Sequence, residues 1–309
     1  MKRSISAGVR LLPWGLACLL GAPAAPQVAQ ARAVISSGVP QLDHIIVIVL
    51  ENHSYTEALA APYMAKLVSS GASFSNCHAE THPSQPNYLA LWSGSTQGVI
   101  NDTCPAPGSP FATPNLGAAC EDAGLTWKAY SEDIPSPGFT GCSYGSMYER
   151  KHEPWTYFSN LDHMNERSFD ELALAESLGT LPNLAFVIPN QCNNAHDCSV
   201  SSADAWLSQH VPGMLHAVGP HGIVIITFDE DDHSAGNRIL TTFNGYLVSK
   251  SFVSSLPVNH YTLLRTICDA LGIEPFGAAT SETPITDVWG SGTVGVQGAS
   301  WSTIKNLYR

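Results

Sequence analysis

Three segments of the chain consist almost entirely of apolar residues: His44–Leu50 (HIIVIVL), Leu184–Ile188 (LAFVI) and Ile223–Phe228 (IVIITF). Their apolar residues are continuous rather than alternating, which is typical of strands buried on both faces of a parallel sheet. Helical stretches lie between and after these strands, and the last of them is the best patterned. They are Pro62–Ser70, Gln85–Ser93, Ala118–Ala123, Asp204–His216 and Tyr261–Leu271. The alternation predicts an α/β layered domain around a mostly parallel central sheet, with helices on both faces.

Two long segments rich in proline and glycine, Asn101–Pro114 and Glu132–Pro154, interrupt this alternation. Loops of this length and composition commonly shape the rim of a site. The sequence contains no internal repeat, and no linker marks the start of a second domain. We therefore predict that residues 32–309 form a single domain.

The first 31 residues have the composition of a secretory signal peptide. Basic residues come first, the apolar segment Leu11–Leu20 follows, and the small residues Ala29-Gln30-Ala31 form an A-x-A cleavage site. The apolar segment is too short, and too interrupted by Pro13, to span a bilayer. No later apolar run is long enough to anchor the chain, so we expect a secreted or periplasmic protein without a transmembrane anchor.

The charge of the chain limits its partners. Of its 309 residues, 14 are basic and 26 are acidic, a net charge of −12. The predicted signal peptide contains three of the basic residues and none of the acidic ones, so the mature chain has a net charge of −15. This balance argues against nucleic acids and anionic membranes as long-range partners. A phosphate substrate would have to be attracted by a metal ion and by local basic side chains.

The mature chain contains seven cysteines, and export makes disulfides the expected state. Cys192 and Cys198 are close enough in sequence to bridge one loop. We expect at least two disulfides, with this pair the first. The odd count leaves one thiol free, and Cys268, on an apolar helical face, is the expected one.

Ser84 is predicted to lie where an irregular segment becomes a helix. Pro83 keeps the chain before it extended, Pro86 suits the first helical turn, and Gly94 ends the helix. Unpaired N–H groups and the helix dipole favour negative charge at such a place. The hydroxyl is therefore either a simple helix cap or a nucleophile whose alkoxide is stabilised.

Polar residues follow all three predicted strands. The first strand leads directly into Glu51-Asn52-His53 and the third into Asp229–His233, while the second leads into the loop of Asn190 and His196. Taken singly, such residues belong to turns or to solvated acidic surfaces. In open α/β sheets, however, ligands bind beyond the carboxyl ends of the strands. Carboxylates crowded together there need a cation.

The oxygen-rich set Glu51, Asn52, Asp229 and Glu230 predicts one divalent metal ion, with Ca²⁺, Mg²⁺ or Mn²⁺ favoured. Nearby histidines leave zinc and iron open as alternatives. A metal beside Ser84 would activate its hydroxyl and neutralise a phosphoryl oxygen.

Three histidines are candidate catalytic residues by their context: His152, His196 and His260. His196 could supply a proton or a hydrogen bond to a phosphoryl group. His152 follows Arg150 and Lys151, either of which could clamp a phosphate. His260 heads the last predicted helix.

Six motifs in order complete the picture: ENHSY after the first strand, THPSQPNYLALWSGS, RKHEPW, FVIPNQCNNAHD, DEDD and NHYTLLRT. Together they resemble the bacterial secreted phosphoesterase family, which unites acid phosphatases and phospholipases C within the alkaline-phosphatase-like fold. The chain is most similar to the short secreted acid phosphatases that act on phosphoinositides. The resemblance covers roughly residues 42–275.

The resemblance implies an alkaline-phosphatase-like fold and a phosphoric monoester hydrolase of the acid phosphatase type. Ser84 matches the nucleophile that forms a phosphoserine intermediate, Glu51 and Asn52 the first pair of metal ligands, and Asp229 with Glu230 the second acidic pair. Because Asp231-Asp232-His233 replaces the glycine-rich turn usual in the family, which of the four acids bind metal stays open.

The resemblance also matches His196 and Asp197 to the N-x-x-H-D site motif and His260 to the histidine before the final helix. We expect a metal-dependent enzyme that hydrolyses phosphomonoesters, phosphoinositides included, fastest on the acid side of neutrality. A phospholipase C-like phosphodiesterase is the alternative activity. A catalytically silent secreted binding protein is the alternative class.

Overall fold

A computed structural model describes residues 37–290 and Met1. The predicted signal peptide over residues 1–31 therefore lies, apart from Met1, outside the described residues, and its boundary stays a prediction. Residues 37–290 all fall in one compact unit. None of the described helices has the length and apolarity needed to cross a membrane.

The strands of the described residues form an eight-stranded sheet and a separate two-stranded hairpin. They are β1 (His44–Leu50), β2 (Ala72–Phe74), β3 (Trp127–Ser131), β4 (Ser143–Tyr144), β5 (Tyr148–Glu149), β6 (Glu166–Ser168), β7 (Leu184–Ile188), β8 (Gly222–Phe228), β9 (Thr242–Gly245) and β10 (Phe252–Ser254). The order in the large sheet is β10-β2-β9-β8-β1-β7-β3-β6. Every neighbouring pair is parallel except the two pairs that β9 makes. The prediction of a mostly parallel sheet is confirmed.

Helices connect these strands. The α-helices are α1 (Tyr55–Ala60), α2 (Pro62–Ser70), α3 (Ser84–Ser93), α4 (Leu116–Asp122), α5 (Asp170–Leu178), α6 (Val200–Ala217) and α7 (His260–Leu271). Short 3-10 helices occupy Arg150–His152, Pro154–Tyr157, His163–Asn165 and Gly277–Ser281. Helix α6 contacts α2 and α5, whereas α3 contacts α7. Strand β8 and all of β1 after His44 are buried, so the central strands are covered on both faces, as predicted.

The continuous apolar runs gave the most accurate predictions. Strands β1 and β7 have the predicted bounds, and β8 begins at Gly222, one residue before its predicted start. The short strands β2, β6, β9 and β10 and the polar strand β3 were not predicted. Their three to five residues have no continuous apolar run. Their pairing is decided by the neighbouring strands rather than by local sequence.

The sheet topology brings three of the polar strand ends together. Strand β1 lies between β7 and β8 and runs parallel to both. Their carboxyl ends therefore meet at one edge of the sheet, and the residues that follow these strands become neighbours.

Helix α3 is fixed firmly at the same edge. All ten of its residues are buried, and it ends at Gly94 in the left-handed conformation, with φ of +67°. A Cβ at Gly94 would lie 2.7 Å from the Phe276 carbonyl oxygen, so the close approach requires glycine. A helix held along its whole length places its first residue, Ser84, accurately.

Candidate active site

The site is built where β1 and β8 end side by side. Leu50 and Phe228 are paired in the parallel register, and the Asp229 N–H donates to the Leu50 carbonyl at 3.0 Å. Glu51 and Asp229 therefore follow adjacent strands at the same level. The Asn52 N–H donates to Asp229 Oδ1 at 3.2 Å, which ties the two strand ends together. Glu51, Asp229 and Glu230 are all buried.

Ser84 faces these acidic groups. Its hydroxyl donates to Glu51 Oε2 at 3.0 Å and lies 3.3 Å from Glu230 Oε1. The oxygen of the Asn52 side chain is 3.4 Å away. The hydroxyl of the residue that opens α3 thus points at the acidic cluster. Of the two interpretations left open by the sequence, this orientation favours the nucleophile.

The side chain of Asn52 provides a test of whether a cation fits. One atom of its carboxamide lies 3.1 Å from Glu51 Oε2 and 3.2 Å from both Glu230 Oε1 and Asp229 Oδ1. An NH₂ group in this place would donate to the carboxylates. An oxygen in the same place would complete a set of four oxygens around a shared ion, which is the donor set that hard divalent cations prefer.

The electrostatics of the cluster favour the second interpretation. Burial, followed by the charge of Asp229, raises the pKa of Glu51 and of Glu230. Burial also raises the pKa of Asp229, and its Oδ2 atom has no hydrogen-bond partner. Three buried carboxyls with raised pKa values indicate missing positive charge, which a bound metal ion would supply.

Within residues 37–290, no group of three or more His, Cys, Asp or Glu side chains alone is arranged to hold a metal ion. The oxygen cluster differs from such groups because it includes the Asn52 amide and the Ser84 hydroxyl. An amide oxygen is an ordinary ligand of hard cations, so the Asn52 oxygen can complete a ligand set with the three carboxylates.

Lys151 is the basic side chain at this cluster. Burial alone would lower the pKa of Lys151, but the charges of Glu51 and Asp102 outweigh burial and raise it. Its Nζ donates to Asp102 Oδ2 at 3.1 Å and lies 3.4 Å from His196 Nε2. Arg150, the other candidate clamp, instead lies over the Tyr157 ring.

His152 contacts the cluster from the side of helix α3. Its Nε2 lies 3.2 Å from Glu51 Oε1, and its ring stacks on Tyr88. Burial, followed by the charges of Lys151 and His196, lowers the pKa of His152 well below the usual value. His152 is therefore expected to be neutral at mildly acidic pH.

His260 lies behind the cluster rather than in it. Its Nε2 donates to the Asp229 backbone carbonyl at 2.7 Å, and the backbone N–H of His260 donates to Glu80 Oε1 at 3.1 Å. Burial lowers the pKa of His260 to about 4. The contact with the carbonyl fixes the position of Asp229, and burial leaves the imidazole uncharged.

His196 is presented by a disulfide-closed loop. Cys192 and Cys198 are bridged, as predicted, and Asn194 Oδ1 accepts from the His196 N–H at 2.8 Å. His196 Nδ1 contacts Asp197 Oδ1 at 2.7 Å.

Cysteine pairing agrees with the other expectations in part. A second disulfide, Cys104–Cys142, confirms the prediction of at least two. Cys268 is a free buried thiol, as expected, but Cys77 is free as well.

Three residues at the site were not predicted as functional. His82 Nδ1 lies 2.7 Å from Glu230 Oε2 and its Nε2 lies 3.2 Å from Asp231 Oδ1. The Tyr88 hydroxyl donates to Glu51 Oε1. Asp102 Oδ1 accepts from the Gln85 N–H at 2.9 Å. Tyr88 could have been predicted, because it follows Ser84 by four residues, and residues four apart lie on the same face of a helix.

The structure also separates the four consecutive acids. Asp229 and Glu230 belong to the oxygen cluster. Asp231 accepts from the N–H groups of His233, Ala235 and Asn237 and so shapes the following turn. Asp232 is exposed and accepts hydrogen bonds from the backbone and the hydroxyl of Ser234.

Comparison with known proteins gives a consistent result. The Phosphoesterase family matches residues 55–274 of the chain. A phosphatidylinositol-3-phosphatase of Mycobacterium tuberculosis is 39% identical over 271 residues, which cover 86% of this chain and 88% of that protein. An acid phosphatase of Aspergillus fumigatus is 29% identical over 249 residues, 74% of this chain. The chain spans only 54% of the length of this fungal relative.

The fold is similarly matched among solved structures. A protein of the alkaline phosphatase superfamily from Vibrio parahaemolyticus superposes with a TM-score of 0.57 at 10% sequence identity. The match covers 77% of this chain and 68% of that one. At this identity the likeness concerns the fold alone, and it confirms the alkaline-phosphatase-like architecture.

Two further carboxyls are buried next to the segment that carries Lys151 and His152. Ser131 Oγ donates to Glu153 Oε2 at 2.8 Å, and the Tyr148 hydroxyl donates to Glu166 Oε1 at 3.2 Å. Burial raises the pKa of Glu166 to about 8. Burial, together with the charge of Glu166, raises the pKa of Glu153 as well. Both carboxyls are therefore expected to be protonated in the folded protein at acidic pH.

These shifts predict that the fold is more stable in acid than in mild base. Because the pKa of Glu166 is raised in the folded protein, this residue contributes to the free energy of unfolding in full below its unfolded-state pKa of about 4.3. The contribution is lost as the pH rises towards the folded-state pKa of about 8. The slope is up to about 1.4 kcal/mol per pH unit for one group. Glu166→Gln should flatten the pH dependence of the unfolding free energy between about pH 5 and 8. Urea unfolding at several pH values in this range measures the free energy of unfolding, and Glu274→Gln, at an exposed glutamate, is the control. Equal slopes for wild type and Glu166→Gln would contradict the prediction.

Proposed function

The chain belongs to the phosphoesterase family, and on this premise we propose that it is a secreted, metal-dependent phosphatase that hydrolyses phosphomonoesters through a phosphoserine intermediate on Ser84. Phosphoinositides are proposed among its substrates, because the M. tuberculosis relative is a phosphatidylinositol-3-phosphatase. The observation that carries the proposal is the convergence of the Glu51, Asn52 and Glu230 oxygens on Ser84 Oγ. Two disulfides support an exported protein.

Glu51, Asn52, Asp229 and Glu230 would hold one divalent ion, with Ca²⁺, Mg²⁺ or Mn²⁺ favoured by the oxygen ligands. When bound, the ion supplies Lewis-acid chemistry that lowers the pKa of a nearby hydroxyl and neutralises phosphoryl charge. Tyr88 supports this set by donating to Glu51 Oε1. His260 supports it from behind, by holding the Asp229 carbonyl.

In the proposed reaction, Ser84 Oγ attacks the phosphorus, and the bond from phosphorus to the alcohol oxygen breaks. The serine proton passes to water, because Glu51 Oε2 is proposed to bind the metal ion, and a proton must reach the departing alcohol. Water then cleaves the phosphoserine and releases inorganic phosphate, which restores the serine.

Lys151 is the proposed phosphate clamp. Its ammonium group is held at the site by Asp102 and lies beside His196. The Asp102 carboxylate compensates the partly buried charge of Lys151 before substrate binds, and the ammonium group can then neutralise a phosphoryl oxygen. His196 is the proposed proton donor to the leaving oxygen, because His152 and His260 are held neutral by burial.

Ser84→Ala is predicted to lower kcat by several orders of magnitude, as loss of a nucleophile does, without lowering Tm appreciably. Ser95→Ala, just beyond the other end of α3, is the matched control and should keep wild-type activity. The direct readout is transfer of labelled phosphate from substrate to protein, trapped by acid quench. Retention of more than about a tenth of wild-type kcat by Ser84→Ala would refute the assignment.

A metal-content measurement tests the role of Asn52 without relying on activity. Asn52 has a φ of +49°, which Asp tolerates and Gly adopts freely. Asn52→Asp keeps an oxygen ligand and should retain about one divalent ion per chain. Asn52→Gly keeps the backbone conformation but removes the ligand, so its metal content after dialysis should fall. An unchanged metal content in Asn52→Gly, or a metal-free wild type with full activity, would count against the site.

Substrate class and pH dependence separate the proposed activity from a phosphodiesterase. The second pKa of a phosphomonoester is about 6, so it loses its second negative charge below about pH 6. The acidic chain then repels it less. We expect monoester hydrolysis with a bell-shaped profile centred at about pH 5–6.5, limited below about pH 4 by protonation of the metal ligands. Chromogenic monoesters and matching diesters are to be compared across pH. Faster turnover of the diester would establish the phosphodiesterase instead.

A further inference from the structure

The two long loops rich in proline and glycine lie at the mouth of the site, and a disulfide joins them. The first loop carries Asp102, which bonds to the Gln85 N–H beside Ser84. The second leads into Lys151. Cys104 of the first loop is bridged to Cys142 of the second. The two loops are therefore joined covalently beside the site, and we call the joined loops the rim.

Long parts of both loops lack charged residues, in a chain whose net charge is −12. Residues 103–120 and residues 134–148 contain no Asp, Glu, Lys, Arg or His, although the chain has 40 acidic and basic residues in total. Since charged side chains normally cover surface loops, this rim differs from the rest of the acidic surface. These uncharged segments add nothing to the repulsion of a negatively charged surface.

Large apolar side chains are exposed on both sides of this rim. Ile100 is 80% exposed, Tyr144 54% and Met147 40%. We call these three residues the apolar rim. Tyr144 and Met147 belong to the β4–β5 hairpin, in which Tyr144 pairs with Tyr148. The Arg150 N–H donates to the Cys142 carbonyl and closes the base of this hairpin, so the apolar side chains are held on a defined support.

Chain geometry limits how far the apolar rim lies from the pocket. Ile100 is two residues from Asp102, which places their Cα atoms at most about 7 Å apart. Tyr148, opposite Tyr144, is three residues from Lys151, at most about 11 Å away. The main chain of Met147 is bonded to Gln191, at the start of the loop that presents His196. The exposed apolar side chains thus lie on segments that are directly connected to Asp102, Lys151 and the loop of His196.

We propose that the apolar rim is the surface through which this protein rests on a lipid bilayer, so that the phosphorylated headgroup of a membrane lipid reaches Ser84. The inference depends on the proposed phosphatase function and specifies its substrate as a lipid in a membrane. Tyrosine and large aliphatic side chains are the groups that partition into the boundary between headgroups and acyl chains. The lipid bilayer is chosen over a protein partner because a headgroup phosphate remains at the membrane surface, and the mouth of the site must approach it.

The charge of the protein determines how such docking would depend on salt. The acidic chain is repelled by anionic lipids at long range, so its attraction to the bilayer must come from apolar contact at short range. Added salt screens the repulsion and leaves the apolar contact intact. Binding to vesicles should therefore be unchanged or stronger at high ionic strength, whereas binding through a basic patch would weaken.

The test compares Tyr144, in the hairpin that leads to Lys151, with Tyr246, an exposed tyrosine beyond the opposite ends of the central strands. Tyr246 is 52% exposed and follows Gly245, which pairs with Ile223 at the start of β8, away from Asp229. The variants are the double substitution Tyr144→Ser with Met147→Ser, and the control Tyr246→Ser. Each is assayed on p-nitrophenyl phosphate in solution and on phosphatidylinositol 3-phosphate in phosphatidylcholine vesicles. Flotation with the same vesicles measures binding at low and high salt.

We expect the double variant to hydrolyse the vesicle lipid at least about tenfold more slowly and to lose flotation, because two inserted side chains are removed. Its rate on p-nitrophenyl phosphate should stay within about twofold of wild type, and Tyr246→Ser should match wild type in every assay. Equal lipid hydrolysis and flotation by wild type and the double variant would overturn the proposal, as would binding that weakens with salt. A wild type that hydrolyses p-nitrophenyl phosphate but neither floats nor hydrolyses the lipid would overturn it too, while the phosphatase proposal stood. No hydrolysis of any monoester would instead be a failure of the proposed function.

Discussion

Repulsion between buried carboxylates is the constraint on which the rest of the site depends. Glu51 and Asp229 leave adjacent parallel strands at the same level, and Glu230 follows within reach of Ser84. Burial raises the pKa of each of the three. Like charges placed so close in a buried site cost free energy unless protons or a cation compensate them. A protein that works with these groups ionised therefore needs the divalent ion that we propose.

The surrounding structure holds this unfavourable arrangement in place. Helix α3 is buried along its length, which fixes Ser84 against the carboxylates. His260 holds the Asp229 carbonyl from behind, and Tyr88 holds one oxygen of Glu51. Such supports around a ligand set are what keep its geometry before the substrate arrives. The apolar rim is connected to the same site, since the Cys104–Cys142 disulfide ties together the loops that carry Asp102 and Lys151.

Sequence reasoning found the parts of the site that follow local rules. Glu51, Asn52, Asp229 and Glu230 stand directly after buried strands, and Ser84 stands at a helix start marked by prolines, so their positions followed from the predicted elements. His82 and Asp102 were missed because their contacts come from loops that fold back over the site, and such contacts leave no periodic signal. The short strands at the edges of the sheet were missed for a similar reason, since their pairing depends on neighbours distant in sequence. His260 was identified as a site residue, but only the fold shows that it contacts the backbone of Asp229.

We propose that four oxygens beside Ser84 bind one divalent cation. Crystals of the protein grown with Mn²⁺, measured near the manganese absorption edge, test it most directly. The account predicts a single strong anomalous peak within about 2.0–2.6 Å of oxygens from Glu51, Asn52, Asp229 and Glu230. Absence of anomalous density at this position, with the Asn52 NH₂ group donating to the carboxylates instead, would contradict it.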